Sequence, residues 1–258
     1  MNPRQTLYLF FDLDGTVLID RKLPRQHLSA MRRAQQLGHK LILNTGRSRG
    51  SYARVASITD ISWDGQCFGA ADINYQGKNI SLKTIDEQDF RIWLNYCMEH
   101  RVCLCYGGRE HLEFLDFSAY DHPLTEEEKQ TALEYAATLY RQNPLTNFSV
   151  QCVIPPETMP ESNLTPIQLS TYADVFPPNC NKGNVVLEFC RATGTPLESC
   201  VCFGDSANDV DMFRVCPNSV CMKNAPPELS ALATYHAQSD YGVAEGLAHL
   251  LQLSQDEI

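Results

Sequence analysis

Two aspartates, Asp12 and Asp14, stand two apart at the end of a short apolar run, Leu7 to Phe11, and a Gly-Thr pair follows them at once. The run reads as a buried central strand of a parallel sheet. In open α/β sheets, ligands bind at the carboxyl ends of the strands. Residues two apart on a strand share a face, so both carboxylates are expected to crowd one small space. Like charges that close resist joint ionisation unless a cation or a proton lies between them. The arrangement works against stability and therefore points to chemistry, with a hard divalent metal as the natural counter-charge.

Three further segments carry groups of the same kind. Asn44-Thr45-Gly46-Arg47 closes the apolar run KLILN. A hydroxyl at a strand end beside the N–H groups of a Gly turn suits a phosphate oxygen, although Thr-Gly alone is also an ordinary strand-to-helix turn. Lys182, in NCNKGN, stands at a helix start. Alone it reads as a solvated lysine; beside a phosphoryl group and carboxylates it is the neutralising cation. GDSANDVDM, residues 204 to 212, follows the run SCVCF, with Asp205 and Asp209 bracketing Asn208 on a tight turn into a helix. A helix N-terminus lessens the repulsion between such acids, and a plain helix cap is the bland alternative. Each of the four segments ends a strand or opens a helix, so all could meet at one sheet edge. A calcium loop starting at Asp12 is excluded, because its sixth and twelfth places hold Val17 and Leu23 rather than Gly and Glu. No Walker phosphate loop is present in the sequence.

The elements around these groups alternate. LYLFF is followed by a helix over PRQHLSAMRRAQQLG, with Leu28, Met31 and Leu37 at helical spacing, Pro24 at its start and Gly38 at its end. KLILN is the next strand, and a helix is expected over Ser51 to Ile58. This βαβ order implies a right-handed crossover and a parallel sheet. The last ~80 residues repeat the texture through NKGNVVLEFCRATG, SCVCFGDS, ANDVDMFRVC, NSVCMKN and APPELSALAT, a short strand near Tyr235 to Ala237, and a helix from about Gly242 to Leu253. The middle differs. An amphipathic helix places Phe90, Trp93, Leu94, Cys97 and Met98 on one side. RVCLCY and HLEFLDF flank GGRE as a hairpin. A helix opens with the capping box Thr125-x-x-Glu128, and FSVQCVI, LTPIQLS and TYADVF are strand candidates. The expected organisation is a Rossmann-like, doubly wound parallel sheet over residues 1–82 and 179–258, with an α+β domain inserted over residues 83–178.

Composition narrows the partners. The 258 residues are 43% hydrophobic, enough for one large or two modest cores, and the net charge is −10 with no Lys/Arg block. This argues against nucleic acid or an anionic membrane as partner and leaves a small phosphorylated molecule open. No apolar stretch suits a membrane span, and no signal-peptide pattern precedes the first strand. Eleven cysteines, an odd number, are read as reduced thiols in a cytoplasmic protein. The C-x-C pairs Cys103/Cys105 and Cys200/Cys202 lie in strand-like runs and read as packing rather than metal ligands.

D-x-D-G-T, a strand-end Thr, a Lys and G-D-x-x-N-D, in that order, resemble the haloacid dehalogenase superfamily of phosphohydrolases. The position of the insert, with TGR, NKG and CMKNAPPELSALA, is similar to its Cof-type subgroup with a large α+β cap. Two departures are Lys223, where the subgroup carries Gly, and Gly69-Ala70-Ala71 in place of N-G-A. The resemblance implies a Mg²⁺-dependent phosphatase of small phosphorylated metabolites, sugar phosphates foremost, working through an aspartyl-phosphate. Asp12 is the implied nucleophile and Asp14 the acid and base. Thr45, Gly46, Arg47 and Lys182 are the implied phosphate and substrate contacts. The metal is assigned to Asp12, the Asp14 backbone carbonyl and Asp205, with Asn208 and Asp209 supporting that shell. Tyr106, Arg109 and His111 are cap residues to be weighed as substrate contacts or as ordinary surface. A sugar phosphomutase with the same intermediate is the alternative enzyme, and a non-catalytic phosphometabolite-binding protein the alternative class.

Overall fold

A computed structural model describes residues 5–254; the outermost residues of the expected core domain, 1–4 and 255–258, lie outside that range. Along the chain run β1 (Tyr8–Phe11), α1 (Arg25–Gln36), β2 (Lys40–Thr45), α2 (Arg49–Ala53), β3 (Gly65–Phe68), β4 (Asp72–Tyr75) and β5 (Lys78–Leu82). Then come α3 (Glu87–His100), β6 (Cys103–Gly108), β7 (Leu112–Asp116), α4 (Glu126–Gln142), β8 (Leu145–Val150), β9 (Thr165–Gln168) and β10 (Ala173–Phe176). The chain continues through α5 (Lys182–Thr193), β11 (Cys200–Gly204), α6 (Val210–Val215), β12 (Asn218–Cys221), α7 (Pro227–Ser230), β13 (Tyr235–His236) and α8 (Gly242–Leu251). Two compact units form: residues 5–46, 55–81 and 181–254, and residues 47–54 with 82–180.

The first unit is built on an eight-stranded sheet in the order β13-β12-β11-β1-β2-β3-β4-β5. The pairs from β13 to β3 are parallel, and β4 runs antiparallel to β3. The α/β expectation with a parallel sheet core is therefore borne out, with an antiparallel extension on one edge. Leu9, Phe10 and Phe11 are fully buried in β1, as a central strand covered on both faces requires. Phe11 is in register with Leu43 on one side and Phe203 on the other, so β1, β2 and β11 end level. At the insert's entry, Ser81 Oγ donates to Glu188 Oε1 on α5 at 2.5 Å.

Local sequence explains the helix ends. Pro24 is the N-cap of α1, and Gly38, just past its C-cap Leu37, has φ +91°. The buried stripe of α1 differs from the expected one: it is His27, Ala30, Met31 and Ala34, whereas Leu37 is 44% exposed. The expected helix over Ser51 to Ile58 forms as the short α2 followed by a 3₁₀ turn at Ala56–Ile58.

The second unit is a five-stranded antiparallel sheet, β7-β6-β8-β10-β9, with α3 and α4. Thr125 and Glu128 form the expected capping box of α4. Phe90, Trp93 and Phe148 centre its core, and the Trp93 indole N–H donates to Ser162 Oγ at 2.9 Å. Tyr106 belongs to that core as well. It is fully buried and its hydroxyl donates to the Asn143 carbonyl at 2.6 Å, so it is not a substrate contact. The α2 segment packs on β6 and belongs to this unit, although it precedes the insert in sequence. All eleven cysteines are free thiols, and no described helix is long and apolar enough to cross a membrane.

Candidate active site

The site lies in the first unit, at the carboxyl ends of β1, β2 and β11. Asp12 follows β1 and is 4% exposed; its N–H donates to the Phe203 carbonyl at 3.0 Å, which keeps it in line with β11. Thr45 is the last residue of β2 and is buried. Asp205 directly follows β11. Since Phe11 pairs with Leu43 and Phe203, Thr45 and Asp205 both stand two residues beyond partners of the residue preceding Asp12.

Lys182 joins these ends. It opens α5, whose N-cap Asn181 accepts the Asn184 N–H at 2.7 Å. The ammonium is only 3% exposed and donates to Asp12 Oδ1 at 2.5 Å, Asp209 Oδ1 at 2.6 Å and Asn208 Oδ1 at 2.9 Å. Three acceptors for three donors satisfy a buried ammonium fully. Burial works against its charge, and the carboxylates of Asp12 and Asp209 outweigh that, holding Lys182 above its ordinary range. The solvated-lysine alternative is thereby excluded.

Asp209 shapes the turn. Its Oδ2 accepts the N–H groups of Asp205 at 3.0 Å and Ser206 at 3.1 Å. A side chain on Gly204 would put a Cβ 2.6 Å from the Asp209 carboxyl carbon, so glycine at the strand end is what admits this carboxylate. Asp205 is held from the first motif: Thr16 Oγ1 donates to its Oδ1 at 2.9 Å. Gly15 turns there with φ +88°, and a Cβ on it would stand 2.3 Å from Asp205 Oδ2. Thr16 is fully buried, and its part in the site was carried in the sequence only by its place in D-x-D-G-T.

Asp12, Asp205 and Asp209 each offer a carboxylate oxygen, all within 4.8 Å of one another. One ammonium faces three carboxyl groups. Burial first, and then the charges of Asp209 and Asp205 against the opposing pull of Lys182, hold Asp12 well above the usual carboxylate range. Burial and Asp209 push Asp205 up to about 6, against the Thr16 hydrogen bond. Such a cluster fits a hard divalent cation, which would relieve the excess negative charge with oxygen donors alone. The donors are not equivalent. Both Asp209 oxygens are engaged, by Lys182 and by two amides, whereas Lys182 takes one oxygen of Asp12 and Thr16 one of Asp205.

The expected crowding of Asp12 and Asp14 is corrected. β1 ends at Phe11, Leu13 is buried, and Asp14 is exposed and stands outside the three-carboxylate group. The two-residue alternation of a strand does not extend past the strand's end. Gly46 belongs to the first unit and Arg47 to the second, where its guanidinium donates to Ser51 Oγ at 3.4 Å. Arg109 is half-buried and His111 exposed in the hairpin of the second unit. Asn44, buried beside Thr45, donates to the Lys182 carbonyl and was given no role by the sequence.

Comparison with known proteins gives the same grouping. A family model described as haloacid dehalogenase-like hydrolase matches residues 9–154 and 156–251. The HMP-PP phosphatase of Klebsiella pneumoniae (strain 342) is 23% identical, with 86% of this chain and 85% of the relative covered. A chloroplastic Arabidopsis thaliana protein, Endoribonuclease YBEY, is 24% identical over 88% of this chain, which spans 43% of that relative's length. Among solved structures, the HAD subclass IIB sugar phosphatase BT4131 superposes with a TM-score of 0.75 at 19% identity, covering 95% of this chain and 99% of that one. The motif resemblance is borne out, and the chain belongs to the haloacid dehalogenase-like hydrolase family as a Cof-type member.

Proposed function

We propose that the chain is a Mg²⁺-dependent phosphatase of small phosphorylated metabolites, sugar phosphates foremost, working through an aspartyl-phosphate on Asp12. The observation that carries it is the buried Lys182 ammonium held jointly by Asp12, Asn208 and Asp209, which unites three motifs far apart in sequence. The names of the Klebsiella relative and of the sugar phosphatase neighbour support the substrate class.

In this mechanism the Asp12 oxygen not held by Lys182 attacks phosphorus, and the bond to the ester oxygen breaks. Asp14 donates a proton to the leaving oxygen; its exposure suits a group that must exchange protons with solvent. Water then attacks phosphorus, Asp14 takes its proton, and the bond to Asp12 breaks to release phosphate. Thr45, the Gly46 N–H and Lys182 are assigned to the phosphoryl oxygens as charge moves; the three Lys182 donors are engaged by Asp12, Asn208 and Asp209 in this structure, so one of these bonds would yield to a phosphoryl oxygen when substrate binds. Asp12, Asp205 and the Asp14 carbonyl are assigned to hold Mg²⁺, with Asn208 and Asp209 keeping that arrangement in place. Bound Mg²⁺ supplies positive charge against the phosphoryl oxygens. The unit of residues 47–54 and 82–180 is assigned the choice of leaving group, with Arg47 among its substrate contacts, extending the expected insert of 83–178 by the α2 segment.

The test is phosphate release from a panel of sugar phosphates, nucleotides and cofactor phosphates, with Mg²⁺ or with chelator, beside Asp12→Asn. Metal-dependent turnover lost in the variant supports the proposal, and the ranking assigns the substrate. Conversion of a sugar phosphate to its isomer without free phosphate would instead assign a mutase.

A further inference from the structure

Asn44 is fully buried, one residue before Thr45 at the end of β2. Its Nδ2 donates to the Lys182 backbone carbonyl at 3.1 Å and also meets Met212 Sδ at 3.3 Å. Lys182 opens α5, and Met212 lies in α6, directly after the turn that carries Asp205, Asn208 and Asp209. One amide therefore links the three segments that bear Thr45, Lys182 and the acidic turn. Met212 is itself tied back to β11, since its carbonyl accepts the Cys202 thiol at 3.7 Å.

The amide is an uneconomical core residue. Its Oδ1 is buried and has no hydrogen-bond partner among the described residues. An unpaired buried oxygen destabilises, and an aliphatic side chain of the same size would avoid that penalty. The compensation visible in the structure is the bond to Lys182. The first turn of α5 sets the origin from which the lysine side chain extends, and its Nζ must reach three acceptors at once. A small displacement of that turn would break the set.

We propose that Asn44 is a positioning residue: its amide fixes the first turn of α5 against the end of β2, so that the Lys182 ammonium sits at its three acceptors. The part of the test read in turnover rests on the phosphatase proposal; the part read in exchange does not.

The test compares wild type with Asn44→Leu, which keeps the branched heavy-atom skeleton and removes the donor, and Asn44→Ser, whose hydroxyl is too short to span the gap. Hydrogen exchange of residues 182–186 is expected to quicken about tenfold in both variants, with β1 and β11 unchanged, a loss confined to one cooperative region. The Asn44→Leu variant is expected to melt no lower than wild type. Its kcat is expected to fall between about ten- and a hundredfold with KM altered less than about threefold, as for an interaction made mainly in the transition state. The inhibition constant for vanadate, a trigonal-bipyramidal mimic, should rise in step with that loss of kcat. Unchanged exchange at the start of α5 in both variants would overturn the proposal, whatever the turnover. So would faster exchange spread evenly over the sheet, or wild-type kcat in Asn44→Leu. A wild-type protein that releases no phosphate defeats the phosphatase reading and leaves the exchange result to decide this one.

Discussion

Lys182 and Asp12 stand 170 residues apart in sequence and 2.5 Å apart at their charged ends, both almost fully buried. The lysine is the sole counter-charge among the hydrogen-bond partners of Asp12 and Asp209 on these described residues, while Asp205 stands beside them without one. Removing it leaves three carboxyl groups facing one another. Lys182→Met is therefore expected to lower stability at neutral pH by about 3–5 kcal/mol, the usual consequence of breaking a buried ion pair on one side. Turnover should fall by a factor on the order of 10³. Lys182→Arg should rescue neither fully, because a planar guanidinium cannot copy the three-way donation of an ammonium. Denaturant melts and phosphate release on the same preparations check this.

Asp205 has Thr16 rather than the lysine as its hydrogen-bond donor, and burial and Asp209 hold it up to about 6. If it ligates Mg²⁺, the cation should raise the wild-type melting temperature, by the equivalent of about 2.7 kcal/mol at a hundred times its dissociation constant. Asp205→Asn should melt at the same temperature with Mg²⁺ or chelator. An equal rise in both proteins would remove Asp205 from the metal site.

Gly15 provides a steric test of the same region. With φ +88° and Asp205 Oδ2 where a Cβ would stand, Gly15→Ala is strained in two ways. Loss of stability of about 1–3 kcal/mol is expected from the backbone alone, together with weaker Mg²⁺ binding as Asp205 is pushed off Thr16. Calorimetric titration of Mg²⁺ distinguishes the second effect from the first.

His27 gives a pH dependence remote from the carboxylates. It is fully buried, its Nδ1 is 3.0 Å from the Val17 carbonyl, and Nε2 has no hydrogen-bond partner among the described residues. Burial, only partly offset by the Val17 carbonyl, lowers its pKa below the ordinary 6.5. The unfolded chain then takes up a proton that the folded chain refuses. The stability contributed by the neutral ring is present above pH 6.5 and is lost as pH falls towards the lower folded value. Wild type should lose stability across that window faster than His27→Phe, which cannot charge. Parallel slopes in urea melts from pH 7 to pH 5 would rule this out.

The candidate site is legible in the sequence because the four motifs sit at strand ends and helix starts, where local pattern is strongest. What was not legible depends on contacts across distance. Lys182 looks like any surface lysine until α5 brings it to Asp12. Asn44 reads as the last residue of an apolar run, and nothing local shows that its amide reaches α5. Strand alternation carried beyond Phe11 puts Asp14 beside Asp12, but the strand stops at Phe11. In α1 the buried face uses His27 and two alanines beside the expected Met31, while Leu28 and Leu37 lie off it. GQCF and DINY, the strands β3 and β4, mix polar residues into four positions and lack the apolar run that marks β1, so pattern does not announce the antiparallel edge.

The Ser81–Glu188 hydrogen bond has a bearing on how this chain can be edited. Ser81 is the last residue before the chain leaves the first unit, and Asn181 is where it comes back; Glu188 lies seven residues further along the helix, about 10 Å at the α-helical rise. Departure and return are thus neighbours on one patch, as in domains that tolerate insertion. An exchange of residues 83–180 for another module would leave every strand of the first sheet whole, provided the new module also covers α2, the 47–54 segment that packs on β6. The two units would then be separable parts, open to recombination independently.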